Sequence, residues 1–298
     1  MRIAVTGSRG FVGSALCARL EELGYEAVRL LRLGGELPPG SAYWNPENGN
    51  IDAGALEGLD AVVHLAGAGV GEHRWTRSYM ETIRRSRVEG TRLIVETLTH
   101  LAIPPRVLVS ASAIGWYGDR GDEVLTEESA SGEGFRAEVC REWEAATEGA
   151  ASAGIRVARM RFGIVLGLGG FLGPLILPAR LGLRMRFGDG NQFLSWITCY
   201  DTVNAILRAI QDETLSGAVN TTGPNPVRNK EFARELSRTL GRPGLGHLPK
   251  LALEIAAGRQ LAREVLLSSQ RAVPNKLLAA GFAFQHREIS DGLSSALS

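Results

Sequence analysis

The sequence predicts an α/β fold, a doubly wound parallel sheet with a smaller C-terminal lobe. Three observations predict it. Short apolar runs recur at residues 2–6, 26–31, 61–65, 106–109 and 157–161, and strands of a sheet covered on both faces read this way. Segments of helical length lie between several of them, at residues 13–23 and 78–101, with another at 135–151 before the last run. Alternating strands and helices wind into such a sheet by right-handed crossovers. Three glycines, Gly7, Gly10 and Gly13, stand where the first strand gives way to the first helix.

The elements follow in order. Leu16 and Leu20 set the helical stripe of residues 13–23, and Gly24 suits a helix C-terminus. Residues 32–50 are rich in Gly, Pro and Asn, which predicts loop with a short strand near Tyr43 and Trp44. The helix at 78–101 presents Arg84, Arg85, Arg87 and Arg92 on a polar face. Beyond Gly163 a glycine-rich loop covers residues 167–173. The apolar stretch 171–183 carries two prolines, Pro174 and Pro178, and is predicted to be irregular. Helices are predicted at 201–210, 229–240 and 251–267, a short strand at 218–221, and a last amphipathic stretch at 275–284. Residues 1–166 then make a dinucleotide-binding domain with a late return near 190–222. Residues 167–298 make mainly the smaller substrate-binding and helical lobe.

Composition narrows the function. The 298 residues carry 33 basic and 32 acidic side chains, a net charge of +1. That gives no basic field for a phosphate backbone, so no nucleic-acid partner is expected. Cys17, Cys140 and Cys199 show no disulfide or CxxC spacing, which suits a reducing compartment and a cytoplasmic protein. No apolar run approaches the roughly 20 residues of a membrane helix, and the N-terminal segment lacks a signal-peptide pattern. The five histidines have no ligand spacing, so no metal is expected.

The segment TGSRGFVG at residues 6–13 is the strongest functional signal. Gly7 permits a tight turn, Gly10 lets the backbone approach a pyrophosphate, and Gly13 lets helix and sheet pack closely. Phe11 and Val12 open the helix, whose unpaired N–H groups favour phosphate. This is a Rossmann-type signature, and the expected ligand is NADP(H). An NAD-preferring site places a carboxylate at the end of the second strand. Here no acid lies between Val28 and Gly35, while Arg9 and Arg32 offer guanidiniums to a 2′-phosphate. The plain alternative is that Arg29 is solvated and Arg32 caps the sheet edge.

Longer motifs carry a resemblance to a known family. They are DAVVHLAG at 60–67, SRVEGTR at 86–92, SASAIGWYGDRGDEVLTEE at 110–128 and RFGIVL at 161–166. QFLSWI at 192–197 and NTTGPNPVRNKEF at 220–232 complete them. With these the chain resembles the extended short-chain dehydrogenases/reductases, in the NAD-dependent epimerase/dehydratase-like branch of sugar-nucleotide epimerase relatives. Its last part, about 249–284, resembles the small helical domain of that branch. The resemblance implies that Leu65, Ala66 and Gly67 run along the cofactor and that Ser112 takes the place of the active-site serine. Arg87, expected among the cofactor-binding residues, falls where related enzymes carry an asparagine near the active site.

One departure bears on the chemistry. The wider superfamily uses Tyr-x-x-x-Lys on the helix after that serine, and here those positions fall near Arg136 and Cys140. Ser112, Tyr117 and Arg136 are therefore the candidate catalytic residues, with packing or solvated roles as alternatives for Tyr117 and Arg136. Three function classes stay open. One is an NADP(H)-dependent oxidoreductase or epimerase-like enzyme acting on a small carbonyl, hydroxyl or sugar-nucleotide substrate. The second is a catalytically inactive NADPH-binding sensor or regulator, and the third is a structural role. Homodimer assembly is left open too.

Overall fold

The computed structural model describes residues 1–32 and 37–298. Its centre is an eight-stranded sheet made of β1 (Arg2–Thr6), β2 (Glu26–Leu31), β3 (Ser41–Asn45), β4 (Asn50–Ile51), β5 (Ala61–His64), β6 (Val107–Ala113), β7 (Arg156–Phe162) and β8 (Gly217–Thr221). The spatial order is β8-β7-β6-β5-β1-β2-β3-β4. All neighbours are parallel except β3 and β4. The order reverses beside β1, because β2 lies on one flank and β5 on the other. Such a reversal opens a crevice at the carboxyl ends of the strands. The fold is the Rossmann-type α/β architecture that the strand and helix alternation predicts.

Helices close both faces. On one face α1 (Phe11–Glu22) packs with the later helix Cys199–Gln211, and Leu16, Leu20, Ile206 and Ile210 join Val5, Val63 and Val109 in one core. On the other face α2 (Arg77–Thr99) buries Ile94 and Leu98 against Val62 and Leu108. Beside it runs α3 (Phe135–Ala145). Gly24 takes φ 72° after α1, and Tyr25 N–H reaches back to the Leu20 carbonyl, which closes the helix in the left-handed manner expected of glycine.

Local structure departs from the sequence expectation in several places. β6 runs on through Ala113, because Ser110 and Ser112 pair in register with Arg159 and Arg161 of β7. Helix 135–151 is two helices, α3 and Glu148–Ser152. The proline-bearing stretch forms a helix after all, Gly173–Arg180. Pro174 sits in its first turn, where no N–H is needed, and buried Ile176 and Ala179 hold it against the second core despite Pro178. Residues 251–267 are not one helix either: Gly258, at φ 92°, separates Lys250–Ala257 from a turn that continues into a π-helical segment, Ala262–Leu266. A C-terminal helix, Ile289–Leu297, has no counterpart in the sequence expectation.

The second core surrounds Trp196, which is fully buried with Phe187, Phe232, Leu236 and Leu293. It is a core side chain. Gly292 of the terminal helix abuts its ring, so that a Cβ there would come within 2.5 Å of it. Gly292→Ala overpacks this contact and should cost about 1–3 kcal/mol. A lower urea midpoint with an unchanged slope is the expected result, and an unchanged midpoint would contradict the packing.

Candidate functional site

The glycine turn is built as its spacing requires. Gly7 has φ 65°, and Gly10 N–H bonds back to the Gly7 carbonyl at 2.9 Å. At Gly13 a Cβ would stand 2.1 Å from the Gly7 oxygen, so helix and turn touch backbone to backbone. Ser8 Oγ, in the same turn, is buried with no partner among the described residues. Phe11 and Val12 begin α1, and the Phe11 ring fills the space beside Gly167, Gly169 and Gly170 of the second lobe. Arg9 is exposed. Arg32 forms an exposed ion pair with Glu47 at 3.3 Å, and the positions following it, 33–36, lie outside the described residues. A groove of about 850 Å³ opens here, lined by Arg32, Trp44, Ala66, Gly67, Tyr79 and Ser86 among others.

The strand neighbouring the turn is tied to it from below. Thr6 Oγ1 accepts the N–H groups of Leu65 and Ala66 at 3.0 and 3.2 Å. Its own proton is then left for His64 Nδ1 at 2.7 Å, which sets the tautomer with the proton on Nε2. His64 is fully buried beside the edge of Trp44, and its Nε2 has no partner among the described residues. Burial pulls its pKa down to about 4.

Ser112 and Tyr117 belong to a buried network rather than to the open groove. Arg161 on β7 grips Glu144 on α3 with two bonds, Nε to Oε1 at 2.8 Å and Nη2 to Oε2 at 2.9 Å. Ser112 donates its hydroxyl to the same Oε1 at 2.6 Å. The Tyr117 proton is shared between Asn220 Oδ1 at 2.6 Å and the Thr126 carbonyl at 2.9 Å, while its oxygen accepts Arg161 Nη1 at 3.1 Å. The Arg161 guanidinium lies 4.0 Å from the centre of the Trp116 ring. Burial raises the Tyr117 pKa against the pull of Arg161, making the phenol a weaker acid.

Arg136 and Cys140 stand nearer the carboxyl edge of the sheet. A Cβ on Gly115, just past β6, would meet the Arg136 Cβ at 3.2 Å and the Cys140 sulfur at 3.5 Å. Burial lifts the Cys140 thiol to about 11, and it donates weakly to the Ala113 carbonyl. Arg136 Nη2 donates to Ser268 Oγ at 3.1 Å, and its backbone N–H donates to Glu264 Oε2. Arg87 faces inward from α2 instead of joining the wet face. Its Nη1 donates to the carbonyls of Ala68 and Ile83, its guanidinium lies 5.1 Å from the Trp143 ring, and it underlies Gly67.

Sequence reasoning did not find Glu144, Arg161, Ser268 or Gln270. Gln270 Nε2 donates to the carbonyls of Ile114 and Gly118 at 3.0 Å each, so the C-terminal lobe holds the loop after β6. The sequence signal for the ion pair was Arg161 in the RFGIVL motif, with nothing to join it to Glu144.

Comparisons with known proteins agree with this architecture. Residues 3–220 match the NAD dependent epimerase/dehydratase family. The chain belongs to that family. Residues 248–296 match a domain of unknown function, DUF1731. An epimerase family protein of Mycobacterium tuberculosis is 39% identical over 99% of this chain and 97% of its own length. The crystal structure of human epimerase family protein SDR39U1 with NADPH superposes at a TM-score of 0.91, with 31% identity and complete coverage of both chains. A nucleoside-diphosphate sugar epimerase from Corynebacterium glutamicum gives a TM-score of 0.82 and 39% identity, covering all of this chain and 58% of that one. Among the described residues no helix is long and apolar enough to cross a membrane.

His64 makes a stability prediction for this family member. Its folded pKa near 4 lies below the ordinary 6.5, so the unfolded chain takes up the proton first as pH falls. Stability is therefore lost progressively between about pH 6.5 and 4, by about 3 kcal/mol in all. His64→Asn, which keeps an acceptor for Thr6, should flatten that part of the curve in urea unfolding followed against pH. An equal slope in both proteins would refute the assignment.

Proposed function

We propose that this protein binds NADP(H) at the glycine turn and along the groove beside it, and uses it in an oxidoreductase or epimerase-like reaction. The substrate class is a small carbonyl, hydroxyl or sugar-nucleotide compound. The observation that carries the reading is the likeness over the whole chain to the human protein solved with NADPH. The residues fit the cofactor's chemistry. Gly7 and Gly13 let the turn fold backbone to backbone, Gly10 adds no side chain where a pyrophosphate would approach, Ser8 has an unspent hydroxyl, and α1 turns its N-terminus to the turn. Arg9 and Arg32 supply positive charge for a 2′-phosphate, although Arg32 must give up Glu47 to do so. Bound NADP(H) supplies or accepts a hydride.

The protein's own groups then have to orient the substrate without the usual tyrosine and lysine. Arg136 takes the catalytic place in this reading, as a fixed positive charge that polarises a substrate oxygen. Ser112 and Tyr117 are weaker candidates on geometry, because Glu144, Asn220 and Thr126 already occupy their hydroxyls. That occupation favours a second reading, an NADPH-binding sensor that does not turn over.

Titration with both reduced cofactors should show tighter binding of NADPH than NADH. Arg32→Ala should cut the NADPH advantage by about tenfold, the loss of roughly one charged hydrogen bond. Equal affinities in the wild type would overturn the cofactor assignment. Turnover is tested separately, by following NADPH absorbance with a panel of carbonyl compounds and sugar nucleotides. Oxidation by any one, or epimerised product from a sugar nucleotide with NADP+, lost in Arg136→Met, supports the enzyme, whereas tight NADPH binding with neither across the panel selects the sensor.

A further inference from the structure

Two arginines stand at the carboxyl edge of the sheet without a carboxylate bonded to either guanidinium among the described residues. Arg87 lies over Gly67, which follows β5, and Arg136 lies over Gly115, which follows β6. Those strands are neighbours in the sheet, and the Cys140 sulfur is within electrostatic reach of both guanidiniums. Arg87 spends Nη1 on two backbone carbonyls and rests on Trp143. Arg136 spends one side-chain bond on the neutral hydroxyl of Ser268. Glu264 and Asp119 act on Arg136 at longer range, and Glu264 bonds to its backbone rather than its guanidinium. Both side chains are half-buried, and their remaining guanidinium N–H groups keep some accessible surface.

Burial lowers the pKa of both arginines from the ordinary value, the mark of charge held at a cost. Such charge is kept where something else compensates it. In the proposed pose the dinucleotide's phosphates do not reach Arg136. They are answered at the glycine turn after β1, and β6 stands two strands from β1, about 10 Å at ordinary strand spacing.

We infer that Arg87 and Arg136 form an oxyanion subsite for the substrate, so that the substrate of the proposed reaction carries a carboxylate or a phosphate group. The inference rests on the cofactor reading for its setting, and it names the substrate class that the reading leaves open. The planar guanidinium offers paired N–H groups matching either oxyanion. It also assigns work to the C-terminal domain. Ser268 and Glu264, around the end of the π-helical turn, hold Arg136 by side chain and backbone. That domain is therefore a positioning part of the subsite rather than an appendage.

The test begins with NADPH binding to the wild-type protein and to Arg136→Met, Arg136→Lys and Ser268→Ala. Oxalate and inorganic phosphate are then titrated into each protein, with and without saturating NADPH, and read by calorimetry and by bound-NADPH fluorescence. Oxamide, the uncharged counterpart of oxalate, is the control. Oxalate or phosphate should bind the wild type at least tenfold more tightly than oxamide, and the tighter of the two names the group. Arg136→Met should weaken that anion by about tenfold or more, Arg136→Lys should recover part of it, and Ser268→Ala should cost about threefold. NADPH affinity should stay within about threefold throughout. No preference for either anion over oxamide, with or without cofactor, overturns the subsite. So does a loss of NADPH affinity in Arg136→Met equal to the loss of anion affinity, since the arginine would then serve the cofactor. Failure of the wild type to bind NADPH overturns the cofactor reading instead, and the cofactor-free titrations still judge the subsite.

Discussion

The buried ion pair between Arg161 and Glu144 is the constraint on which the rest of the site depends. Removing two charges from water costs several kcal/mol per ion, and only good geometry with further hydrogen bonds offsets it. Here the pair is two-pronged, Ser112 satisfies a third position on Glu144, and Tyr117 accepts from Arg161. The cost is met by drawing β6, β7, α3 and the loop after β6 to one point. Asn220 extends the network to β8 through Tyr117. Moving any of these elements by a small distance would leave a charge buried without its partner.

That anchor fixes what the carboxyl edge presents. Cys140 and Arg136 are one and two helical turns from Glu144, rising about 6 and 12 Å along α3. Once Glu144 is pinned, both side chains are delivered beside Gly115. The same anchor consumes the hydroxyls of Ser112 and Tyr117, which leaves this edge richer in fixed positive charge than in groups able to give up a proton. A guanidinium orients and polarises but does not readily donate a proton at neutral pH. This edge therefore differs in kind from one built on a tyrosine acid.

Glycines permit one of the contacts between the start of α1 and the later part of the chain. Gly167, Gly169 and Gly170 surround the Phe11 ring, so the second lobe closes over the start of α1. From the other side, Gln270 and Ser268 hold the loop after β6 and the arginine on α3. Asp201 accepts the backbone N–H groups of Gln285 and His286. These bonds tie the C-terminal segment to the helix after the second lobe's strands, and the strand Arg271–Ala272 forms a separate two-stranded pair with Val124–Leu125.

The sequence by itself determined the sheet, the crossovers and the glycine turn. Those features are local: apolar runs, helical rhythm, and glycines where φ or backbone contact excludes a side chain, as at Gly7 and Gly13. It also marked Arg136 and Cys140 as standing where a tyrosine and lysine were expected. Only the tertiary structure decided that Ser112 faces Glu144, that Arg87 turns inward to Gly67, and that Ser268 reaches Arg136. Each of these joins residues far apart along the chain. The choice between them is made by burial, because an enclosed charge or hydroxyl takes whichever partner the packing brings within reach. The broken course of residues 250–266 has the same origin. Their apolar content resembles one continuous helix, yet Gly258 and the contacts of Glu264 and Ser268 with α3 bend it over the site.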